Sequence, residues 1–349
     1  MSFFLLFYPK STNFAENYAV DRIFMTKENL RIVYMGTPDF AVESLKALVG
    51  GGYNVVGVIT MPDKPVGRHG SVLQASPVKQ YAVEQGLPVL QPEKLKDEAF
   101  LEQLRALEAD LQIVVAFRML PEVVWSMPHL GTFNLHASLL PQYRGAAPIN
   151  WAVINGEKET GITTFFLQHE IDTGEIIKQV KVPIADTDDV GIVHDKLMVL
   201  GAKLVTDTVD KIIDGTLRTI EQDLMIGEGE ELKPAPKIFR DTCRINWNQP
   251  MRKVYDFVRG LSPYPAAWTV LEQEGKTTDI KIFQVAKNQA GKSMIPGEVF
   301  TDGKTFLRVG VADYSLDILS LQQAGKKRMS IQDFLRGFKI GGDIRFLSI

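Results

Sequence analysis

Between Leu30 and Ala116 the sequence alternates short apolar runs with longer segments whose apolar residues recur at helical spacing. This alternation predicts βαβ units, in which parallel strands form one sheet with helices on both of its faces. Ligands of such α/β domains bind beyond the carboxyl ends of the strands. The predicted strands are residues 32–35, 55–60, 89–90 and 111–116, and the predicted helices are residues 40–48, 76–85 and 98–107.

The next predicted strand, residues 132–136, ends with two polar side chains on one face. Successive side chains of a strand alternate between its faces, so Asn134 and His136 point the same way. An amide beside an imidazole can stabilise a developing oxyanion and move a proton without a metal, as acyl-type transfer requires. The alternative is a buried asparagine and histidine whose hydrogen bonds are satisfied by the backbone.

A lone carboxylate follows in a turn between two further predicted strands, residues 162–167 and 175–182. Asp172 precedes Thr173 and Gly174, and glycine allows a chain to reverse tightly. Asp172 is therefore a candidate third member of the site; a turn aspartate that bonds its own backbone is the alternative. A long amphipathic helix over residues 189–214 is expected to close this first domain.

Residues 221–237 contain Gly227, Gly229, Pro234, Pro236 and several acids, a composition typical of a linker. Beyond it, a helix over residues 254–260 leads into five short strands, which favour a small β-barrel of the oligonucleotide-binding type. These strands are residues 268–271, 280–285, 297–300, 307–309 and 316–321. The predicted fold is thus an α/β domain at residues 30–220, the linker at 221–237 and a barrel domain at 238–349.

Charge is divided unevenly along the chain. Residues 238–349 contain 17 Lys and Arg against 11 Asp and Glu, whereas residues 1–237 contain 22 against 31. The barrel domain therefore has a net charge of +6 and the rest of the chain −9, which indicates that the barrel domain meets a polyanion. Ordinary scatter of surface charge is the alternative.

Cysteine and histidine usage limits the chemistry further. The single cysteine, Cys243, allows no internal disulfide and no CxxC zinc site, which fits a reducing, cytoplasmic location. The five histidines show no HxxH or HExxH spacing, so no catalytic metal is expected. No segment approaches the length of a transmembrane helix, and we expect no membrane contact.

Residues 1–29 are expected to be an N-terminal extension without a functional role. The apolar run at residues 3–8 has no basic flank, is too short to span a membrane and is not followed by a small-residue cleavage pattern. A misplaced start upstream of Met25 is one explanation of residues 1–24, and a genuine tail is the other.

The run at residues 133–151, FNLHASLLPQYRGAAPINW, followed by the isolated IDTG at residues 171–174, resembles the folate-binding signature of the 10-formyltetrahydrofolate-dependent formyltransferases. The resemblance implies a catalytic trio of Asn134, His136 and Asp172. It also implies that Ser138, Leu139, Leu140 and Pro141 form the loop lining the folate site. The implied formyl donor is 10-formyltetrahydrofolate, and the implied fold is a Rossmann-like formyltransferase domain with a mostly parallel sheet.

Two further segments resemble the members of this family that formylate the α-amino group of initiator methionyl-tRNA. The first is MPDKPVGR, residues 61–68, which opens an insertion running to Gln74, and the second is the C-terminal run at residues 321–335. The likeness implies that Arg68 guides the acceptor end of the tRNA. From the basic charge of the barrel domain we expect Lys326, Lys327 and Arg328 to contact phosphates. The alternatives are a solvated turn for this basic run and a mobile loop charge for Arg68. We expect a monomer.

Other acceptors and other roles stay open at this point. An amino-sugar nucleotide or glycinamide ribonucleotide could take the formyl group, water could take it in a hydrolase, or the fold could serve as a non-catalytic RNA-binding scaffold. The segment AFRMLP, residues 116–121, departs from the usual family pattern, as do Gln168 and Glu170. Arg118 is either a folate contact or a surface residue at the start of a helix.

Overall fold

The structure is a computed structural model that describes residues 25–66, 72–289, 294–339 and 341–348. Its first sheet contains the strands β1 (Ile32–Gly36), β2 (Val55–Ile59), β5 (Val89–Leu90), β6 (Leu111–Val115), β7 (Thr132–His136), β8 (Glu159–Phe166) and β9 (Ile176–Pro183). The strand order is β5-β2-β1-β6-β7-β8-β9. The five strands from β5 to β7 pair in parallel, and β8 and β9 continue antiparallel. The predicted mostly parallel sheet is confirmed.

Helices cover both faces of this sheet, since β1 and β6 are buried along their whole length, as parallel strands are when helices pack on each side. One hydrophobic core lies between the sheet and the first and last helices of the domain. A second hydrophobic core lies on the opposite face of the sheet, beneath the helix that contains residues 100–104. The helices of the first domain are α1 (Asp39–Gly50), α2 (Pro77–Glu84), α3 (Glu98–Ala106), α4 (Glu122–Trp125), α5 (Pro148–Ile154) and α6 (Val190–Ile213).

Side-chain caps explain where several of these helices begin. Ser76 Oγ accepts the Lys79 amide hydrogen at the start of α2, where Pro77 occupies the first turn. Asp189 Oδ1 accepts the Ile192 amide hydrogen at the start of α6 in the same way. These boundaries follow from local sequence alone.

The predicted N-terminal extension falls largely outside the described residues, because the description begins at Met25. The residues that are described there contact the first domain. The Asn54 amide donates to Lys27 O (3.0 Å), and the Thr26 amide donates to Asn29 Oδ1 (2.7 Å). Residues 25–29 are thus attached to the sheet, next to the beginning of β1.

The insertion predicted after residue 60 forms a β-hairpin of β3 (Lys64–Val66) and β4 (Val72–Gln74). Its tip, residues 67–71, lies outside the described residues. Asp63 anchors the base, because its carboxylate accepts from Lys79 Nζ (2.6 Å) and from Gln91 Nε2 (2.8 Å). The hairpin therefore projects from the carboxyl end of β2.

The C-terminal domain is a nearly closed antiparallel barrel, as predicted. Its strands are β10 (Ala267–Gln273), β11 (Lys276–Asn288), β12 (Val299–Thr301), β13 (Leu307–Gly310), β14 (Ser315–Gln323), β15 (Met329–Ser330) and β16 (Ile344–Leu347). The order is β12-β13-β14-β11-β10-β16, with β15 beside β14. The Phe346 amide donates to Gly297 O (2.8 Å), which joins the two ends of the sheet.

Two details of the barrel differ from the prediction. Strand β16 was missed because four residues after Gly341 and Gly342 carry little periodic signal, yet this strand brings the sheet close to closure. Strand β11 is longer than predicted and is irregular in register around Phe283, where a β-bulge bends it around the core. Helix α7 (Met251–Leu261) precedes the barrel, and helix α8 (Ile331–Gly337) packs beside β14 and β15.

The two domains dock through α5 and α7. Asp256, which is 3% exposed, accepts from Arg259 Nε (2.6 Å) and from Arg252 Nε (2.7 Å), so the buried carboxylate is fully paired. A Cβ on Gly260 would lie 2.6 Å from Ile154 Cγ1, so glycine is required for this close approach. The contact is direct packing between helices.

A surface ion network extends this contact. Asp186, in the loop between β9 and α6, pairs with Arg252 of α7 and Lys287 of β11. Lys287 and Arg252, both hydrogen-bonded to the carboxylate, lower the pKa of Asp186 to about 2. The Tyr255 hydroxyl also donates to Asp186 O (3.0 Å). One aspartate of the first domain therefore ties together two elements of the second.

Candidate active site

Strand β7 presents Asn134 and His136 at the carboxyl end of the parallel strands, as the sequence predicted. Asn134 pairs in register with Val114 of β6 and Phe165 of β8. It is partly exposed, and its carboxamide has no hydrogen-bond partner among the described residues. An amide available to donate at this position can stabilise negative charge on a bound substrate.

His136 is nearly buried, and its two ring nitrogens face different groups. Nε2 lies 2.9 Å from Tyr143 O, which can only accept, so Nε2 carries the hydrogen of this bond. Nδ1 lies 3.9 Å from Asp172 Oδ2. The edge-to-face ring of Phe165, 6.4 Å away, limits rotation of the imidazole. Nδ1 is therefore the ring nitrogen that faces the Asp172 carboxylate.

Asp172 occupies the turn between β8 and β9 and completes the trio. Its Oδ2 accepts the Gly145 amide hydrogen (2.9 Å), which aims the carboxylate at His136. The backbone of Asp172 is left-handed, with φ of 56°. A Cβ on Gly174 would lie 1.6 Å from Phe166 O. Glycine is thus needed at 174 for close packing, whereas Asp172 itself adopts the unusual dihedral angle.

The loop at residues 138–141 lies beside the trio and is mostly a packed wall. Ser138, Leu140 and Pro141 are buried, and Leu139 is partly exposed. Thr163 Oγ1 donates to Ser138 O (2.7 Å) and accepts from the Leu140 amide (3.3 Å). The Ser138 hydroxyl donates to Gln142 O (2.7 Å), and the side chains of Leu140 and Pro141 are buried, so a ligand beside this loop would meet its backbone and Leu139.

The predicted tRNA contacts fall in two places. Arg68 lies in the hairpin tip, outside the described residues. Lys326 and Lys327 are exposed in the turn between β14 and β15, with no ion pair among the described residues. The Arg328 guanidinium lies 4.4 Å from the centre of the Phe283 ring, and its Nε donates to Ser320 Oγ (3.0 Å). The two lysines extend from a turn that Arg328 attaches to the barrel.

Arg118 is partly buried and precedes the helix that begins at Glu122, so it is not a surface residue at a helix start, and its contact with folate stays a prediction. Its guanidinium donates to Pro92 O and to Glu93 O (2.8 Å), which joins the loop after β6 to the segment after β5. The arginine therefore braces two strand ends next to the site. Sequence alone does not reveal this role because both acceptors are backbone atoms.

The structure adds two neighbours of the trio that the sequence analysis did not select. Tyr143 holds His136 through its carbonyl, and its hydroxyl donates to Glu157 Oε1 (2.5 Å). Burial, together with this bond to Glu157, raises the pKa of the Tyr143 phenol, so it stays protonated. Gln222, within the predicted linker, is 2% exposed and bonds to the turn of Asp172. A buried glutamine in an acidic segment gives no sequence signal.

Basic and aromatic side chains alternate where the linker enters the barrel. The guanidinium carbons of Arg240 and Arg244 lie 4.9 Å and 5.6 Å from the centre of the Trp268 ring. Lys237 Nζ lies 5.4 Å from the ring centre of Phe239, which is 61% exposed. This surface combines positive charge with the exposed Phe239 ring and the partly exposed Trp268 ring, and a base can stack on an exposed ring. We call these five residues the junction patch.

Two kinds of feature are absent from the described ranges. No group of three or more His, Cys, Asp or Glu side chains there is placed to hold a metal ion. Across the same ranges, no helix has the length and apolar character needed to cross a bilayer.

Comparisons with known proteins identify the family of the chain. The chain matches the family described as formyl transferase over residues 30–209, and the formyl transferase C-terminal domain over residues 237–339. It is 71% identical over 316 residues to a methionyl-tRNA formyltransferase of Parabacteroides distasonis, covering 90% of this chain and 98% of the relative. It is 67% identical over 317 residues to that of Bacteroides fragilis, covering 90% of this chain and 97% of the relative.

A solved structure shares the fold at low sequence identity. The N-formyltransferase from Helicobacter canadensis, in complex with folinic acid and dTDP-3-aminofucose, is 19% identical with a TM-score of 0.61. The match covers 85% of this chain and 99% of that chain. At this identity the likeness supports the architecture alone, whereas the two relatives above match both domains. The chain therefore belongs to the formyl transferase family, with the methionyl-tRNA formyltransferases.

Proposed function

We propose that this chain transfers the formyl group of 10-formyltetrahydrofolate to the α-amino group of methionine on initiator tRNA. The observation that carries the proposal is the meeting of Asn134, His136 and Asp172 in a chain that is 71% identical to a methionyl-tRNA formyltransferase. The product, N-formylmethionyl-tRNA, serves translation initiation. The reaction needs no metal in this scheme, because an amide and an imidazole supply the polar groups.

The three side chains divide the chemistry between them. The methionine amine attacks the formyl carbon, and the Asn134 amide donates to the oxyanion of the tetrahedral intermediate. His136 Nδ1 takes the proton that the amine loses, while Asp172 Oδ2, 3.9 Å away, stabilises the imidazolium. The bond from the formyl carbon to N10 of the folate then breaks, and N10 receives that proton. Formylated methionyl-tRNA and tetrahydrofolate leave.

Residues 138–141 are proposed to line the folate site. Ser138, Leu140 and Pro141 would act through backbone atoms because their side chains are buried, and Leu139 would offer an apolar edge. The loop is held by one hydrogen bond that Thr163 donates and one that it accepts, so it would be in place before the folate binds. A preformed wall of this kind positions the formyl group relative to β7.

The tRNA is proposed to contact the barrel domain at residues 238–349, with the chemistry in the domain at residues 30–220. Lys326, Lys327 and Arg328 would meet phosphates, and Arg68 in the hairpin tip would guide the acceptor end towards the trio. The cations of the junction patch and the exposed ring of Phe239 suit the same polyanion. We further propose that the protein acts as a monomer in the cytoplasm, where its tRNA substrate is.

One experiment tests the acceptor directly. The purified chain is supplied with 10-formyltetrahydrofolate and either methionyl-tRNA, glycinamide ribonucleotide, an amino-sugar nucleotide or water alone, and formation of tetrahydrofolate is followed. Rapid turnover with methionyl-tRNA alone is the expected result. Faster turnover with another acceptor, or equal turnover with water, would overturn the proposal.

A further inference from the structure

We propose that Gln222 is a positioning residue for formyl transfer and holds Asp172 where its carboxylate acts on His136. The inference rests on the roles proposed above for the catalytic trio. It concerns a residue of the linker, 50 positions downstream of Asp172, that none of the sequence motifs includes.

The Gln222 carboxamide is saturated with hydrogen bonds. Nε2 donates to Asp172 O (2.9 Å) and to Gly174 O (2.8 Å). Oε1 accepts from Arg144 Nε (3.0 Å) and Nη2 (2.7 Å). The side chain is 2% exposed, whereas its neighbours Glu221 and Asp223 are exposed. A buried amide that uses both donor hydrogens and both acceptor positions is held in one orientation.

Gln222 binds the turn at residues 172–174, which has an unusual backbone conformation. Asp172 has φ of 56°, and a side-chain-bearing residue keeps such a backbone only where its surroundings impose it. Gln222 binds the carbonyls on both sides of Thr173, and the Gly145 amide binds the carboxylate. Arg144 precedes Gly145 and binds Gln222, so one network fixes both the backbone and the side chain of Asp172.

Loss of the hydrogen bonds from Gln222 should lower the rate of formyl transfer more than the affinity for either substrate. Without the amide, two carbonyls lose their donors, and Asp172 can relax to a more common dihedral angle that turns its carboxylate away from His136. Misplacement of a catalytic group by about 1 Å can cost on the order of 100-fold in rate. Among the described residues, Gln222 has no hydrogen bond to residues 138–141 or to the barrel, so affinity for either substrate should change little.

Two variants test the role. Gln222→Met keeps the length of the side chain and removes all four hydrogen bonds. Gln222→Glu keeps the volume and the bond to Arg144 but turns an acceptor towards two carbonyl oxygens. We expect both to lower the single-turnover rate at saturating substrates by roughly 10- to 100-fold, with nearly unchanged dissociation constants for methionyl-tRNA and folate. Thermal unfolding of each variant identifies any that fails to fold.

Gln142→Met is the matched control. Gln142 also joins its loop to the linker, through Glu230 Oε1 (2.7 Å) and the Lys233 amide (2.8 Å), but does not touch Asp172. Its rate should stay close to that of the wild type. A loss equal to that of Gln222→Met would mean that general attachment of the linker matters, and would overturn the proposal.

A double-mutant cycle separates positioning from a merely structural role. If Gln222 acts through Asp172, adding Gln222→Met to Asp172→Ala should leave the rate of Asp172→Ala unchanged. A further loss of the same size as in the wild-type background, or wild-type rates for both Gln222 variants, would overturn the proposal. Wild-type activity of Asp172→Ala would instead remove Asp172 from the proposed mechanism, so the two failures are distinguishable.

Discussion

The residues of the proposed catalytic trio are held in two different ways. Asn134 and His136 sit on a strand paired on both sides, so their placement follows from the local pattern of the chain. Asp172 sits in a turn with a left-handed backbone, and groups remote in sequence hold it, including Gln222 and the Gly145 amide. A motif can thus identify a catalytic residue while the geometry of that residue depends on others outside every motif.

The largest effect is expected from substitution of the two members of the trio that lie on β7. His136→Ala and Asn134→Ala should each lower the single-turnover rate on the order of 100-fold or more, because both side chains act on the transition state. Thermal stability and tRNA affinity should stay close to wild type. Retention of more than about a tenth of the wild-type rate in either variant would remove that residue from the catalytic assignment.

Asp172, the member of the trio that lies in the turn, should respond to the addition of one methyl group at Gly174. In Gly174→Ala the new Cβ would lie 1.6 Å from Phe166 O, so the turn must move away from β8. We expect a loss of about 1–3 kcal/mol in the free energy of unfolding, with a lower transfer rate because Asp172 moves with the turn. Gly50→Ala is the control, since its Cβ would meet no atom within 4 Å. Equal stability of the two variants in denaturant unfolding would contradict this account.

A smaller effect is expected for the basic side chains of the turn between β14 and β15, which is a local feature of the chain. Replacing Lys326, Lys327 and Arg328 with alanine should weaken tRNA binding and flatten its salt dependence, by about 0.7–0.9 in logarithmic slope for each phosphate that is no longer neutralised. The catalytic rate at saturating tRNA should be unchanged. Binding measured across a salt series decides the matter, since an unchanged slope would exclude these residues from the interface.

The smallest effect is expected at Asp186, whose ion pairs join the domains at a partly exposed position. Its pKa is lowered to about 2, so its contribution to stability is present above the ordinary aspartate pKa and is lost as pH falls towards 2. Asp186→Asn should therefore be slightly less stable than wild type near neutral pH, with the difference shrinking between about pH 4 and pH 2. A difference independent of pH in urea unfolding would rule out the ionised carboxylate as its cause.

Sequence predicted the parts of the structure that depend on periodicity and caps. The parallel strands and the strand end that holds Asn134 and His136 all follow from local patterns. The barrel class was also predicted, but β16 was not, because its pairing with β10 depends on residues about 73 positions away. Strands of four residues gain their stability from such long-range pairing.

The site was predicted to the extent that its residues form a motif. The pairing of His136 Nε2 with Tyr143 O, which leaves Nδ1 facing Asp172, needs coordinates. Composition marked residues 221–237 as a linker because glycine, proline and acids usually indicate solvated chain. In the structure Gln222 and Ala235 of this segment are buried against the site. Burial of a single side chain in a polar segment leaves no periodic trace.

The attachment of the linker has a consequence for how this enzyme could be divided. Besides Gln222, the Ala235 amide donates to Arg144 O (2.9 Å), and a Cβ on Gly145 would lie 2.5 Å from Ala235 O. A fragment ending with α6 would contain all three side chains of the proposed trio and the whole first sheet, yet it would lack the segment that contacts Asp172 and Gly145. If Gln222 positions Asp172 as proposed, the smallest self-sufficient catalyst within this sequence would extend past residue 220, and exchange of the barrel would have to preserve the residues in between.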